Sequence, residues 1–340
     1  MKIFKFLYIL FFFDIYQFYK YKISIIIPIY KAEKYLTDCL DSLINQSLNN
    51  IQIICINDES PDNSLNILKE YAKKDKRIII KNIKHVSISE TRNEGLKYVE
   101  GEYIGFVDDD DFIDLNQYEK MYEFAKKDDI DLLEFGTQKI NENQKLKDFK
   151  NKKIIYKDEV VNTNIDGNIF NKLRNENWNK IYKAKIIKKN KIKFVPNLGG
   201  EDLNFNLKFY PFVKRFKKIH AVTYYWRIKT YRLYDPIKYF FGSNKLFFES
   251  LVDYYKINKI NINNPILCFE LMIIGYQSLF WKSEKLLYKK EYLTNFFAAF
   301  KKLKIEEEKI INKLIIEIKN FYLTILNKYN IIKINEKKDL

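Results

Sequence analysis

From Ile23 onward, short apolar runs alternate with longer segments in which apolar residues return every three or four positions. That alternation predicts a mostly parallel, twisted sheet wrapped by helices, an α/β fold. Residues 23–27, 51–56, 77–80 and 103–107 are β-branched or apolar runs of strand length, and 131–135 is a fifth. Between them, residues 33–45 place Leu36, Leu40, Leu43 and Ile44 on one helical face, and 63–74 do the same with Leu65, Leu68 and Tyr71. A third helix is predicted over 115–126. Residues 137–175, rich in Asn and Lys without a clear period, read as an irregular insertion or variable loop, and order returns at 178–189. From Tyr239 the chain reads as Lys-, Phe-, Leu- and Ile-dense helices, among them 269–280 and 309–329.

The 340 residues accommodate one large domain and an appendage. An apolar content of 47% excludes a chain disordered for want of hydrophobic residues. Cys39, Cys55 and Cys268 lie far apart and outline neither a disulfide framework nor a thiolate metal site, which points to a reducing compartment. Charge is uneven: residues 1–181 carry 28 basic and 30 acidic side chains, a net of −2, and residues 182–340 carry 32 and 14, a net of +18. A basic half beside a near-neutral one suits an anionic surface or ligand, or is simply a solvated Lys-rich face. No run of about 20 apolar residues marks a spanning helix. Residues 6–13 are apolar, but Asp14 ends them and no small-residue cleavage site follows, so no secretory signal is expected. Residues 1–22 are left as a native extension, an interfacial anchor, or sequence upstream of a non-Met start.

Candidate chemistry gathers at the predicted strand ends, where open α/β sheets bind their ligands. Asp108, Asp109, Asp110 and Asp111 follow directly on the fourth strand. Four adjacent carboxylates repel one another unless a cation is present, and hard oxygens suit Mg²⁺ or Mn²⁺ held together with phosphates. A solvated acidic turn is the competing reading. Asp58 ends the second strand and can accept from a pyrimidine or ribose donor, although Asp62 and Asn63 beside it also suit a plain helix cap. Pro28 and Tyr30 close the first strand, with Glu33 on the next helix. Arg92 offers a planar donor fork for phosphate or base, though surface Arg is the default. Gly199 and Gly200 precede Glu201 and Asp202 at a helix start, a place where glycine permits close approach and acids also occur for dipole reasons alone. The two histidines, His85 and His220, have no metal-pair spacing.

Taken in order, Ile25 to Tyr30, Asn57 to Asp62, Arg92-Asn93-Glu94-Gly95, Phe106 to Asp111 and Gly200-Glu201-Asp202 resemble the bacterial family two glycosyltransferases over about residues 23–230. The resemblance implies a GT-A-type fold, a nucleotide-diphosphate-sugar donor, and inversion at the anomeric carbon. It assigns Asp108 and Asp110 to the ends of an Asp-x-Asp motif contacting ribose and a divalent metal, Mn²⁺ or Mg²⁺. Asp58 matches the base contact, Pro28 and Tyr30 the base-pocket wall, and Arg92 a donor-side arginine. Asp202 matches the catalytic base with Glu201 as its neighbour. Trp178 to Tyr182 and Tyr224 to Arg227 resemble acceptor-side segments, where aromatic rings either stack on sugars or fill the core. Lys31 stands where Asn is common, Glu59 where Gly is usual, Asp109 where Ser is usual, and Ser87 near an expected Gly.

The organisation expected is therefore an apolar extension over 1–22, a catalytic domain over 23–230 and a basic helical C-terminal region over 231–340. The expected substrates are a UDP-sugar and a saccharide or lipid-linked acceptor, for surface polysaccharide or lipooligosaccharide synthesis. The expected place is cytoplasmic and peripheral on the inner face of the plasma membrane, with no nucleic-acid partner. The rival from another class is a non-enzymatic basic protein binding membrane or nucleic acid.

Overall fold

The structure is a computed structural model that describes residues 19–149, 154–156, 173–229 and 244–258. Eight strands, β1 (Tyr21–Ile29), β2 (Ile51–Asp58), β3 (Ile78–Ile83), β4 (Gly101–Phe106), β5 (Phe112–Ile113), β6 (Leu132–Asn141), β7 (Lys180–Lys183) and β8 (Phe216–Ile228), form one sheet in the order β3-β2-β1-β4-β7-β6-β8-β5. Strands β3, β2, β1 and β4 run parallel. Beyond them β7 is antiparallel to both β4 and β6, β5 is antiparallel to β8, and β6 and β8 are parallel. The sheet is thus parallel in its first half and mixed overall. Parallel strands are covered on both faces, which is why β1 and β2 read as near-continuous Ile runs.

Alternate residues feed two cores. Ile26, Ile54, Ile56, Ile104 and Phe106 pack on one face, and Ile23, Ile25, Ile27, Ile53 and Cys55 on the other. Helices α1 (Leu36–Ile44), α2 (Ser64–Lys74) and α4 (Gln117–Lys127) cover the second face with Leu40, Leu68 and Met121. The first face carries α3 (Ile88–Leu96), α5 (Ala184–Lys189), α6 (Glu201–Phe209) and α7 (Asn244–Ile257).

Helix α3 has little amphipathic pattern and lies close against β1. A Cβ on Gly95 would stand 2.5 Å from the Ile26 side chain, so only glycine permits the approach. Ser87 caps the helix, accepting from Glu90 N while Glu90 returns a bond to Ser87 N. Helix α7 closes over α6: Phe247, Leu251, Val252 and Tyr255 are buried, Tyr255 OH donates to Leu207 O at 2.8 Å, and Asn204 Nδ2 to Ser250 Oγ at 2.8 Å.

The segment expected to be irregular from residue 137 instead continues β6 to Asn141. Thr137, Gln138, Lys139 and Ile140 pair with Tyr224, Tyr225, Trp226 and Arg227, so a neighbouring strand imposes what local propensity did not signal. The helices predicted over 269–280 and 309–329, and the apolar run 6–13, lie outside the described residues. Among the described residues no helix is long and apolar enough to cross a membrane.

Candidate active site

Because β1, β2 and β4 are parallel neighbours, their C-terminal ends open on one edge. Tyr30 N donates to Asp109 Oδ2 at 2.9 Å, joining the ends of β1 and β4. Lys31 N and Ala32 N donate to Ser60 Oγ and Ser64 Oγ, joining the end of β1 to the loop after β2 and to the first residue of α2. Glu33 is exposed and exchanges bonds with that loop, its N–H going to Asp62 Oδ2 and its Oε2 accepting from Asn63 N. Its described contacts tie two elements together. Lys31 and Glu59 have φ of 55° and 50°, in the left-handed region that favours Asn and Gly. Two of the four departures from the usual residues, Lys31 and Glu59, therefore fall where the backbone is left-handed.

The aspartate run hangs on β8. Asp111 is buried and spends both oxygens on that strand, accepting from Tyr224 OH at 2.8 Å and Arg227 N at 2.8 Å. Tyr224 OH also accepts from Asp108 N. The Arg227 guanidinium donates to Asp110 O, Glu142 O and Asp38 Oδ2, and lies over the Tyr35 ring. Asp111 is an anchor, which frees its neighbours to face the open edge.

Those neighbours meet cations. Arg92 is 2% exposed, and its fork reaches three carboxylates: Asp108 Oδ1 at 3.1 Å, Glu201 Oε1 at 3.1 Å and Asp202 Oδ1 at 2.9 Å. It is thus no surface arginine. Burial opposes its charge, but Asp202, Asp108 and Glu201 together hold it more firmly protonated than usual. Burial lifts Asp108 to about 6 against the pull of Arg92. Burial likewise raises Asp202 to about 7, with Arg92 opposing and Glu201 adding to the rise. Asp109 is pushed well above the carboxylate range by burial and by Asp110. Asp110 Oδ2 lies 2.6 Å from Lys229 Nζ at the end of β8. Gly200, with φ of 77°, turns the chain into α6 so that Glu201 and Asp202 open the helix beside Arg92.

Asp58 is 4% exposed, at the tip of β2. Its oxygens accept from Val86 N at 2.8 Å and meet His85 Nδ1 at 2.9 Å, and burial raises its pKa. Tyr30 stands beside it, while Pro28 is buried within β1 opposite Ile56. Trp178 belongs to the core: it is 4% exposed and stacks on Tyr224 with ring centroids 4.5 Å apart. Tyr224 and Tyr225 are buried as well. Sequence reasoning missed His85 and Lys229 as parts of the site, and it placed Tyr224 in an acceptor-side segment rather than against the aspartate run. The alternation along β8, which sends Tyr224 and Trp226 to one side and Arg227 to the other, was the one available signal.

The donor set suits a shared divalent cation. Among the described residues no three His, Cys, Asp or Glu side chains are placed to enclose an ion by themselves. Asp108 and Asp110 do stand at the open edge, and each already attracts a cationic side chain. Mg²⁺-type ions are commonly held by one or two carboxylates and completed by substrate phosphates.

With these side chains in place, the chain can be set beside known proteins. The profile described as "Glycosyl transferase family 2" matches residues 24–192. Residues 24–192 belong to glycosyl transferase family 2. The chain is 39% identical over 117 residues to the uncharacterized glycosyltransferase EpsJ of Bacillus subtilis, covering 34% of each protein. It is 31% identical over 215 residues to the glycosyltransferase GlyA of Streptococcus pneumoniae, covering 61% of this chain and 31% of GlyA. The poly(ribitol-phosphate) beta-glucosyltransferase of Bacillus spizizenii is 32% identical over 214 residues, covering 61% and 32%. The chain thus spans about a third of the length of these relatives. In fold it is similar to S. aureus TarS residues 1–349, solved with UDP-GlcNAc, at a TM-score of 0.65 and 22% identity over 83% of this chain and 81% of that one. The match to family 2 ends before Asp202, so α6 and α7 lie beyond the matched segment.

Proposed function

We propose that the chain is an inverting glycosyltransferase that moves a sugar from a UDP-sugar to a saccharide or lipid-linked acceptor. The observation that carries this reading is the convergence on Arg92 of the aspartate run after β4 with the Glu201-Asp202 pair of α6. Asp58 and Tyr30 form the nucleobase side. Asp108, Asp110 and Arg92 form the diphosphate side. Asp202 is the general base: a carboxylate raised to about 7 can hold the proton of an attacking hydroxyl, and one base without a nucleophile gives inversion. Glu201 shares Arg92 with it and keeps the fork in place. Asp108 and Asp110 would hold a divalent cation, Mn²⁺ or Mg²⁺, which would supply Lewis-acid stabilisation of the leaving diphosphate. The UDP-GlcNAc in TarS and the glucosyl activity in the name of the B. spizizenii relative support a hexosyl or N-acetylhexosaminyl donor.

The test is hydrolysis of a panel of UDP-sugars with and without Mn²⁺, comparing the intact chain with Asp110→Ala and Asp202→Asn. Metal-dependent UDP release that both substitutions abolish supports the reading and names the donor. Absence of release together with absence of nucleotide binding by calorimetry refutes it and favours a non-enzymatic basic binding protein.

The basic half supports a second element of the proposal, peripheral contact with an anionic bilayer during surface polysaccharide or lipooligosaccharide synthesis. The full chain should co-sediment with vesicles containing anionic lipid and be released by salt. Equal sedimentation with neutral vesicles would refute the electrostatic contact.

A further inference from the structure

At the nucleobase side a flat heteroaromatic ring is already in position, and it belongs to the chain. The His85 imidazole lies on the Tyr30 ring with centroids 4.2 Å apart and planes 18° from parallel. Its Nδ1 is 2.9 Å from Asp58 Oδ2. An ionised carboxylate only accepts, so Nδ1 is the donor. Asp58's other oxygen is taken by Val86 N, and His85 N is tied to Glu59 Oε2 at 3.1 Å, so the backbone on both sides of the ring's attachment is fixed. The His85 side chain is 52% exposed, whereas Asp58 is 6% exposed at its side chain. One partner can rotate into solvent and the other cannot. Stacking on Tyr30 while donating a ring N–H to Asp58 are the two contacts that a uracil imide would make in the same place.

We propose that the His85 imidazole occupies the place of the nucleobase in the donor-free chain and exchanges with it, so that His85 sets the threshold for donor binding. This deepens, and rests on, the reading of Tyr30 and Asp58 as the base side of a UDP-sugar site. Rotation of the imidazole opens the Tyr30 face and leaves Asp58 buried with one oxygen unpaired. An unpaired buried acceptor is costly, so the exchange favours a base that returns a ring N–H at that edge. Uracil carries one at N3. Cytosine presents an unprotonated N3 and leaves the carboxylate with a facing acceptor. The imidazole therefore competes evenly with any base that stacks, and the carboxylate chooses among them. Apparent affinity is the intrinsic affinity reduced by the fraction of chains whose subsite is open.

Calorimetric titration of UDP and CDP into the full chain, His85→Ala, His85→Ser and Asp58→Asn tests the exchange. Both His85 variants are expected to bind UDP about five- to tenfold more tightly than the parent, as the fraction of open subsites rises toward one. Asp58→Asn is expected to bind UDP more weakly and to narrow the preference over CDP. Weaker or unchanged UDP binding in both His85 variants, with the parent binding normally, would overturn the exchange and make the imidazole a wall of the pocket or a bystander. Failure of parent and variants alike to bind UDP would overturn the base-side reading itself, and the exchange with it.

Discussion

Asp202 carries the sharpest expectation at the scale of single residues. Burial raises its carboxyl to about 7, and Arg92 restrains the rise. A general base acts only when deprotonated, so kcat/KM should climb with pH as one ionisation centred near 7 and level off above it. Arg92→Gln removes the opposing charge and should move that limb to higher pH, which a pH–rate profile of the two proteins would read. A limb that stays in place would refute the coupling. Lys31 gives a second expectation. Its left-handed backbone costs a side-chain-bearing residue roughly 1–2 kcal/mol. After allowance for the greater unfolded-state freedom of glycine, Lys31→Gly should raise stability by about 0.5–1 kcal/mol in chemical denaturation. Residue chemistry was also the most legible layer of the sequence. Asp108, Asp202 and Asp58 stood out because their order and spacing matched a known pattern. The burial of Arg92 did not, because an arginine on a short helix with weak apolar period gives no sign of what folds over it.

Among elements, β8 does the most to shape the site. Its Tyr224 and Arg227 hold the aspartate loop, and Lys229 just past its end neutralises Asp110. A lysine ammonium and a divalent cation compete for the same carboxylate. Lys229→Met should therefore strengthen nucleotide-free Mn²⁺ binding severalfold, measured by calorimetry or by the paramagnetic signal of free Mn²⁺; unchanged affinity would show that Asp110 is not a ligand. The early strands were legible because β1 and β2 are buried on both faces and consist of Ile runs. The second half of β6 was not, since Thr137, Gln138 and Lys139 become strand only through pairing with β8. Long-range pairing leaves no local trace in polar residues, and the insertion expected from residue 137 is the result.

For the molecule as a whole, the first-face core is continuous from β1 through α6 to α7. Ile26, Phe106, Phe205, Leu251 and Tyr255 belong to one cluster. Leu251→Ala should cost about 2–5 kcal/mol by thermal or chemical unfolding, the range for truncating a well-buried leucine. It should also lower turnover more than it weakens UDP binding, because α6 carries Asp202 whereas Tyr30 and Asp58 sit at the ends of β1 and β2. Equal losses in both would show that the support from α7 is global.

That clasp bears on how family 2 chains can be recombined. A chimera joined after β8, near residue 230, would pair the α6 of one protein, with its Asp202, with the α7 of another and leave Asn204 and Leu207 facing foreign partners. A junction placed after residue 258 keeps Asp202 and the helix that supports it from a single parent, and exchanges only the residues C-terminal to both.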